Sequence, residues 1–307
     1  MSIEPIDWHG VPLPAQNQPV VSGAVSLAVT SAGDPARPTV VLVHGYPDTK
    51  EIWGAVIERL APDFHVIAYD VRGAGGSSAP HGPAAYDLSL LADDFQRVCA
   101  ELAPGRAVHL VGHDWGGIQG WEFVTAPRFA GRIASFTTIA GPALGHAVHA
   151  TGSALGDRRP MRALRWLRRS WYVLGLCLPG GPTIAWRVVL AGGRWRRFVA
   201  LTERVPVDGT YPAPTICADG LHGANLYRRN IPRRLGRRAR LGRPHAPVQI
   251  VVPTGDRFIS ASYYDAAERI APGLRRRTIA GSHWAPRTEP ALIAEWIAEF
   301  AHEHEAH

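Results

Sequence analysis

Lysine, methionine, cysteine and long apolar runs are all scarce in this sequence. Lys50 is the single lysine among 33 basic residues, and 307 residues include two methionines and three cysteines. Cys99, Cys177 and Cys217 are odd in number and far apart. They offer neither a disulfide framework nor a metal-ligand or thiol-redox spacing, so free thiols in a reducing cytoplasm are expected. The longest uncharged stretch, Trp171 to Trp186, is broken by Pro179, Gly180, Gly181 and Pro182 and is too short to cross a bilayer. The opening MSIEPIDWHGVPLP carries early acids and no apolar run, so it does not read as a secretory signal. The expected location is cytoplasmic.

An apolar fraction of 46% is that of a globular chain, which sets aside disordered and fibrous classes. The length suits one large core carrying an insertion. Charge is unevenly spread: residues 150–245 hold 19 arginines against 4 acidic residues, whereas the rest of the chain is net acidic. Such a segment can meet nucleic acid or acidic lipid, or simply present a solvated face with snorkelling arginines. Aromatic residues do not interleave with the arginines as an RNA-binding surface requires, so no nucleic-acid partner is expected.

Short, largely apolar, often β-branched runs recur at Val40–His44, His65–Tyr69, Val108–Gly112, Ser135–Ala140, Val248–Val252 and Arg276–Ala280. They suit strands of a parallel sheet buried on both faces. Two earlier runs, Pro19–Ser22 and Ala24–Thr30, flank Gly23 as an antiparallel pair would. Helical stripes alternate with the strands. Asp87 caps one carrying Leu88, Leu91, Phe95, Val98 and Leu102, and Leu292, Trp296, Ile297 and Phe300 form another. The alternation predicts an α/β doubly wound, mostly parallel sheet. It breaks at residues 145–245, where patches at Met161–Trp171 and Thr183–Leu190 read as helix. The expected organisation is a core of residues 1–144 and 246–307 with a helical cap inserted at 145–245. The tail HEHEAH reads as a frayed, solvated helix end.

Gly112-His113-Asp114-Trp115-Gly116-Gly117 follows the strand-like VHLVG. It has the form of the nucleophile elbow G-x-Ser-x-G with aspartate in the serine position. The glycines let a strand reverse sharply into a helix and lift the central side chain into the open. The helix N-terminus then favours a carboxylate there. A carboxylate attacks an sp³ carbon and becomes an alkyl ester, so a general base and an oxyanion hole are needed to hydrolyse it. His283, in Gly-Ser-His-Trp after the last strand, is the candidate base, with an ordinary pKa near ~6.5. Asp256, in Thr-Gly-Asp-Arg after the preceding strand, is the candidate acid. Nucleophile, acid, histidine is the chain order such a site uses. Backbone N–H groups of Tyr46, in His44-Gly45-Tyr46-Pro47, and Trp115 are the candidate oxyanion donors. His113 and the turn Asp70-Val71-Arg72-Gly73 with Ser77 are read as structural.

HGYPD, GHDWGG, GDRF and GSHW, in this order across nearly the whole chain, resemble the epoxide hydrolase family of the α/β-hydrolase fold. The resemblance implies two cap tyrosines that hydrogen-bond and protonate the epoxide oxygen. Tyr172, ahead of Pro179-Gly180, is similar to the first. Tyr227, in Asn225-Leu226-Tyr227-Arg228-Arg229-Asn230, is similar to the second. It also implies a substrate site of Trp115, Tyr172 and Tyr227, no metal, no cofactor, and a small apolar epoxide and water as partners. A weak peripheral membrane contact through the basic cap is a further expectation. The sequence departs from the family at Gly175-Leu176-Cys177 and at Leu226, where aromatic residues are common, so pocket shape is expected to differ.

Haloalkane dehalogenases share Asp114, Trp115 and His283, but many carry asparagine where this chain has Tyr46. Trp166, Trp171, Trp186 or Trp195 would have to supply the second halide contact. A non-catalytic ligand-binding protein on this fold is the reading from a different class, and the retained Asp114, Asp256 and His283 argue against it.

Overall fold

The computed structural model describes residues 16–145, 171–191, 193–235, 242–265 and 267–305. Eight strands form one sheet in the order β1-β2-β4-β3-β5-β6-β7-β8. They are β1 Gln16–Ser22, β2 Val25–Ala32, β3 Thr39–Val43, β4 His65–Tyr69, β5 Val108–His113, β6 Ile133–Ile139, β7 Val248–Pro253 and β8 Arg275–Ile279. β1 and β2 pair antiparallel across Gly23, whose φ of 60° meets the turn's need for a left-handed residue. β2 also lies antiparallel to β4, and all later pairings are parallel. The six core strands stand within two residues of their expected bounds.

Side-chain alternation sends each strand's residues to two separate cores. Val41 and Val43 of β3 face one, with Phe95 of helix α2 (Leu88–Leu102) and Trp121 and Phe123 of α3 (Trp115–Thr125). Val40 and Leu42 face the other, with Val56 and Leu60 of α1 (Gly54–Leu60) and Ile293 and Ile297 of the C-terminal helix Pro290–His302. Every residue of β3, β4 and β5 is buried, as helices on both faces require. Asp87 caps α2, its carboxylate accepting the Ser89 N–H at 3.1 Å.

β8 departs from the apolar strand expected. Arg275, Arg276 and Arg277 alternate between half-buried and exposed because β8 is an edge strand. Arg275 pairs with Glu303 and Arg277 with Glu299, each at 2.6 Å, so charge blunts the open edge.

Between β6 and β7 the described elements are helical. They comprise a helix at 171–177, a short turn at Gly181–Ile184 running into a wider helical turn at Ala185–Val189, α4 (Arg194–Thr202) and α5 (Ile216–Leu235). The helix expected at Thr183–Leu190 is therefore broken and widened, starting two residues earlier where Pro182 can occupy a first-turn position. Apart from Trp171, the patch expected at Met161–Trp171 lies outside the described residues. No helix among the described residues is long and apolar enough to cross a membrane.

Candidate active site

β5 ends at the sheet's carboxyl edge, and its chain turns into α3 through Asp114 at φ 51° and ψ −117°, a conformation that L-residues rarely adopt. Glycines make the turn possible. A Cβ at Gly112 would fall on the Gly116 carbonyl and the Gly117 nitrogen, and one at Gly116 on the Val43 carbonyl. Asp114 is held at both ends of its peptide units: its N–H donates to Ile139 O at 3.0 Å and its carbonyl accepts the Ile118 N–H at 3.0 Å.

The loop after β3 comes so close that a Cβ on Gly45 would touch the Asp114 side chain. The Tyr46 N–H thereby donates to Asp114 Oδ1 at 2.8 Å, and the Trp115 N–H also bonds the carboxyl group. His44 braces this loop. Its Nε2 accepts the Val71 N–H at 2.9 Å, which leaves the proton on Nδ1 to donate to Gly45 O at 2.8 Å.

His283 Nε2 lies 3.7 Å from Asp114 Oδ2, and its Nδ1 is 2.8 Å from Asp256 Oδ2. Asp256 is itself fixed, Oδ1 accepting the Phe258 and Ile259 N–H groups at 2.7 and 2.8 Å. His113 Nε2 donates to the His283 carbonyl at 2.9 Å, so the elbow histidine positions the histidine opposite it. Burial depresses His113 well below the ordinary imidazole range, aided by the His283 charge. Burial would lower His283 too, but the carboxylates of Asp256, Asp114 and Asp48 outweigh it and hold the imidazole up at about 9. Burial likewise pushes the Asp114 carboxyl upward, while the His283 charge and the two N–H donors pull against it.

Tyr227 of α5 packs edge-on to Trp115 and Tyr46 with ring centres 4.9 and 5.1 Å away. Tyr172 lies 6.4 Å from Tyr227 and 5.6 Å from Phe258, ring centre to ring centre. Burial drives both phenols well above 10, and the Asp114 charge adds to it, so both keep their protons at neutral pH. The segment around Tyr227 sets the placement of both rings. Asn230 Nδ2 donates to Tyr86 O at 2.9 Å, and Arg229 Nε to Asp87 Oδ2 at 2.8 Å, fixing α5 to the cap of α2. Arg228 reaches the other way, donating to Leu178 O at 2.8 Å at the end of the helix that carries Tyr172. Tyr46 ties the loop after β3 to the same insertion, its hydroxyl accepting the Trp186 indole N–H at 2.7 Å and donating to Gly220 O at 3.0 Å.

All seven sequence-derived site residues (Tyr46, Asp114, Trp115, Tyr172, Tyr227, Asp256 and His283) therefore meet at one place. Sequence reasoning passed over Asp48. Its buried carboxylate accepts the Tyr211 hydroxyl at 2.7 Å and the Trp284 indole N–H at 3.0 Å, and burial pushes it up to about 7. Its place in HGYPD was the available signal, but Tyr211 is distant in sequence and gave none. The Asp70 turn is structural as read: the Asp70 carboxylate accepts the Lys50 and Gly76 N–H groups at 2.8 and 2.9 Å. Among the described residues no cluster of His, Cys, Asp or Glu could hold a metal ion.

An elbow at the carboxyl edge of a doubly wound sheet, with a histidine facing it from the loop after the last strand, is decisive when set beside known proteins. The sequence profile of the alpha/beta hydrolase fold matches residues 38–290. The chain belongs to the α/β-hydrolase fold family. It is 36% identical over 287 residues to "Probable oxidoreductase EphD" of Mycobacterium tuberculosis, covering 90% of this chain and 48% of that protein. The chain thus spans about half the length of the curated relatives it matches there. "Epoxide hydrolase A" of Mycobacterium tuberculosis is 27% identical over 321 residues, covering 92% of this chain and 95% of that one. A solved mutant of an epoxide hydrolase from Bacillus megaterium, complexed with its product, superposes with a TM-score of 0.75 at 22% identity. The match covers 93% of this chain and all of that one, a likeness in fold.

Proposed function

We propose that this α/β hydrolase opens small apolar epoxides to vicinal diols through an ester on Asp114. The observation that carries the reading is the division of labour within one carboxylate. Oδ1 accepts the Tyr46 N–H, while Oδ2 faces the His283 imidazole 3.7 Å away. Oδ2 is the nucleophile. It attacks an epoxide carbon, the carbon–oxygen bond breaks, and Tyr172 and Tyr227 hydrogen-bond the oxygen and supply the proton that makes it a hydroxyl. An epoxide needs this proton because its leaving group stays attached as a strongly basic alkoxide, whereas a departing halide needs none. The relatives named as epoxide hydrolases add weight to the same choice.

Ester formation consumes the negative charge of Asp114, one of the charges that holds His283 protonated. The imidazole pKa therefore falls when a base is required: His283 gives up its proton, which restores the phenol that donated one, and, oriented by Asp256, it then takes a proton from water. The hydroxide attacks the ester carbonyl, Oδ1 becomes an oxyanion between the Tyr46 and Trp115 N–H groups, and the diol leaves as the carboxylate reforms. The β6–β7 insertion acts as the cap that excludes bulk water, and no metal or organic cofactor enters the scheme. Trp186, one of the four tryptophans that a halide site could use as its second donor, spends its N–H on Tyr46.

Single turnover of a styrene-type epoxide in oxygen-18 water tests the scheme: label is expected in the Asp114 carboxylate before it reaches the diol. His283→Gln is expected to trap the ester, visible as an adduct by intact-mass measurement. No adduct, or halide release from 1-haloalkanes outpacing epoxide turnover, overturns the proposal.

A further inference from the structure

Large apolar side chains exposed on the described surface are concentrated in the β6–β7 insertion: Trp171, Leu174, Leu178, Ile184, Val188 and Leu201, with Val21 the exception elsewhere. Trp171, Leu174 and Leu178 follow the i, i+3, i+7 spacing of a single helix face, and they are 68%, 53% and 60% exposed. Ile184 and Val188 lie one helical turn apart on the next segment, at 60% and 62%. The two segments touch closely, since a Cβ on Gly181 would fall on the Gly175 carbonyl. A grouped apolar face of this kind marks a surface that something covers.

Charge identifies what covers it. Residues 171–202 contain Arg187, Arg194, Arg196 and Arg197 and no acidic residue, and all four arginines are exposed. Several arginines on the core surface are instead matched to carboxylates, as Arg275 is to Glu303 and Arg128 to Asp93. Apolar side chains for the acyl region, with exposed arginines in the same stretch of chain for the headgroups, are the two halves of an interfacial anchor. A second copy of this chain would bring the same excess of arginine against its own.

We infer that the face formed by Trp171, Leu174, Leu178, Ile184 and Val188 seats the protein on an anionic lipid surface. Tyr172 and Leu176 lie on the opposite side of the same helix, Tyr172 packed on Tyr227 and Leu176 in the core cluster. The seated helix is therefore the one whose other side lines the site of Asp114. The inference stands on surface chemistry alone and does not depend on the reaction proposed above.

Co-sedimentation of the full chain with phosphatidylcholine vesicles, with and without phosphatidylglycerol, tests it without any substrate. The expected result is binding to the mixed vesicles that falls steeply as salt is added, with little binding to phosphatidylcholine alone. Leu174→Ser with Leu178→Ser is expected to lower the partition coefficient about tenfold or more. Arg187→Gln, which leaves the apolar face intact, is expected to lower it about fivefold on anionic vesicles only. Circular dichroism matching the wild type verifies that each variant folds. Absence of binding to anionic vesicles at low salt overturns the inference, as does binding that the paired serine substitutions leave unchanged. A dimer in sedimentation velocity that the serine substitutions dissociate, without lipid binding, assigns the face to a second copy instead.

Discussion

At the carboxyl edge of the sheet, Asp114 is held by backbone, whereas in the β6–β7 insertion Tyr172 and Tyr227 are held by other side chains. The elbow leaves no room for alternatives: Gly112 and Gly116 approach main-chain atoms that cannot move without parting β3, β5 and α3. The insertion instead depends on long arms, with Arg228 and Arg229 running from α5 to a neighbouring helix end and to the cap of α2. Rigid backbone gives Asp114 and the Tyr46 and Trp115 N–H groups one geometry. Side-chain tethers leave Tyr172 and Tyr227 adjustable, which suits the part of the proposed site that would admit and release a small apolar substrate.

Substitutions on the two sides are expected to break differently. Asp114→Ala should lower kcat by roughly 10⁴-fold or more with the fold intact, since the proposed ester forms on this carboxylate. Steady-state assay beside circular dichroism checks this. Tyr172→Phe and Tyr227→Phe should each lower the rate of ester formation by roughly 10²-fold. Stopped-flow tryptophan quenching separates that step from ester hydrolysis, which neither change should slow as much. Gly116→Ala should destabilise the protein by about 3 kcal/mol, read by urea unfolding, because its methyl group meets the Val43 carbonyl. Tyr46→Phe keeps the oxyanion N–H but strips Trp186 and Gly220 of their partner. Its expected signature is a KM raised about tenfold with kcat changed less, the mark of a loosened insertion over an intact edge.

The smallest effect concerns pH. His283 is held up at about 9 in the folded protein, against an unfolded value of 6.5. The stabilisation from its buried carboxylate partners is therefore complete below about pH 6.5 and is lost as pH rises through about 9. Melting temperatures of the wild type and His283→Gln should diverge most at the acidic end of that window and converge above it. Parallel curves across the window would mean that the imidazole carries no charge in the resting protein.

Much of this site could be read in one dimension because its constraints are local. GHDWGG specifies a turn through its own glycines, and VHLVG ahead of it specifies the buried strand that delivers the turn to the sheet edge. GDRF and GSHW end their strands in the same way, so Asp256 and His283 could be assigned from chain order. Asp48 escaped for the opposite reason. Its partners Tyr211 and Trp284 come from the insertion and from the far end of the chain, and no spacing links them. His113 was read as structural, but only folding reveals that it donates to the carbonyl of His283.

Taken alone, the order of residues determined the alternation of strand and helix, the aspartate at the apex of the bend and the excess of arginine between β6 and β7. Each of these is written in neighbouring side chains and in the two periods of helix and strand. Tertiary structure decided which carboxylate oxygen faces the imidazole, how Tyr46 joins the loop after β3 to the insertion, and which apolar side chains remain outside. Those outcomes rest on contacts between segments far apart in the chain, and such contacts exist only once the sheet has brought the segments together.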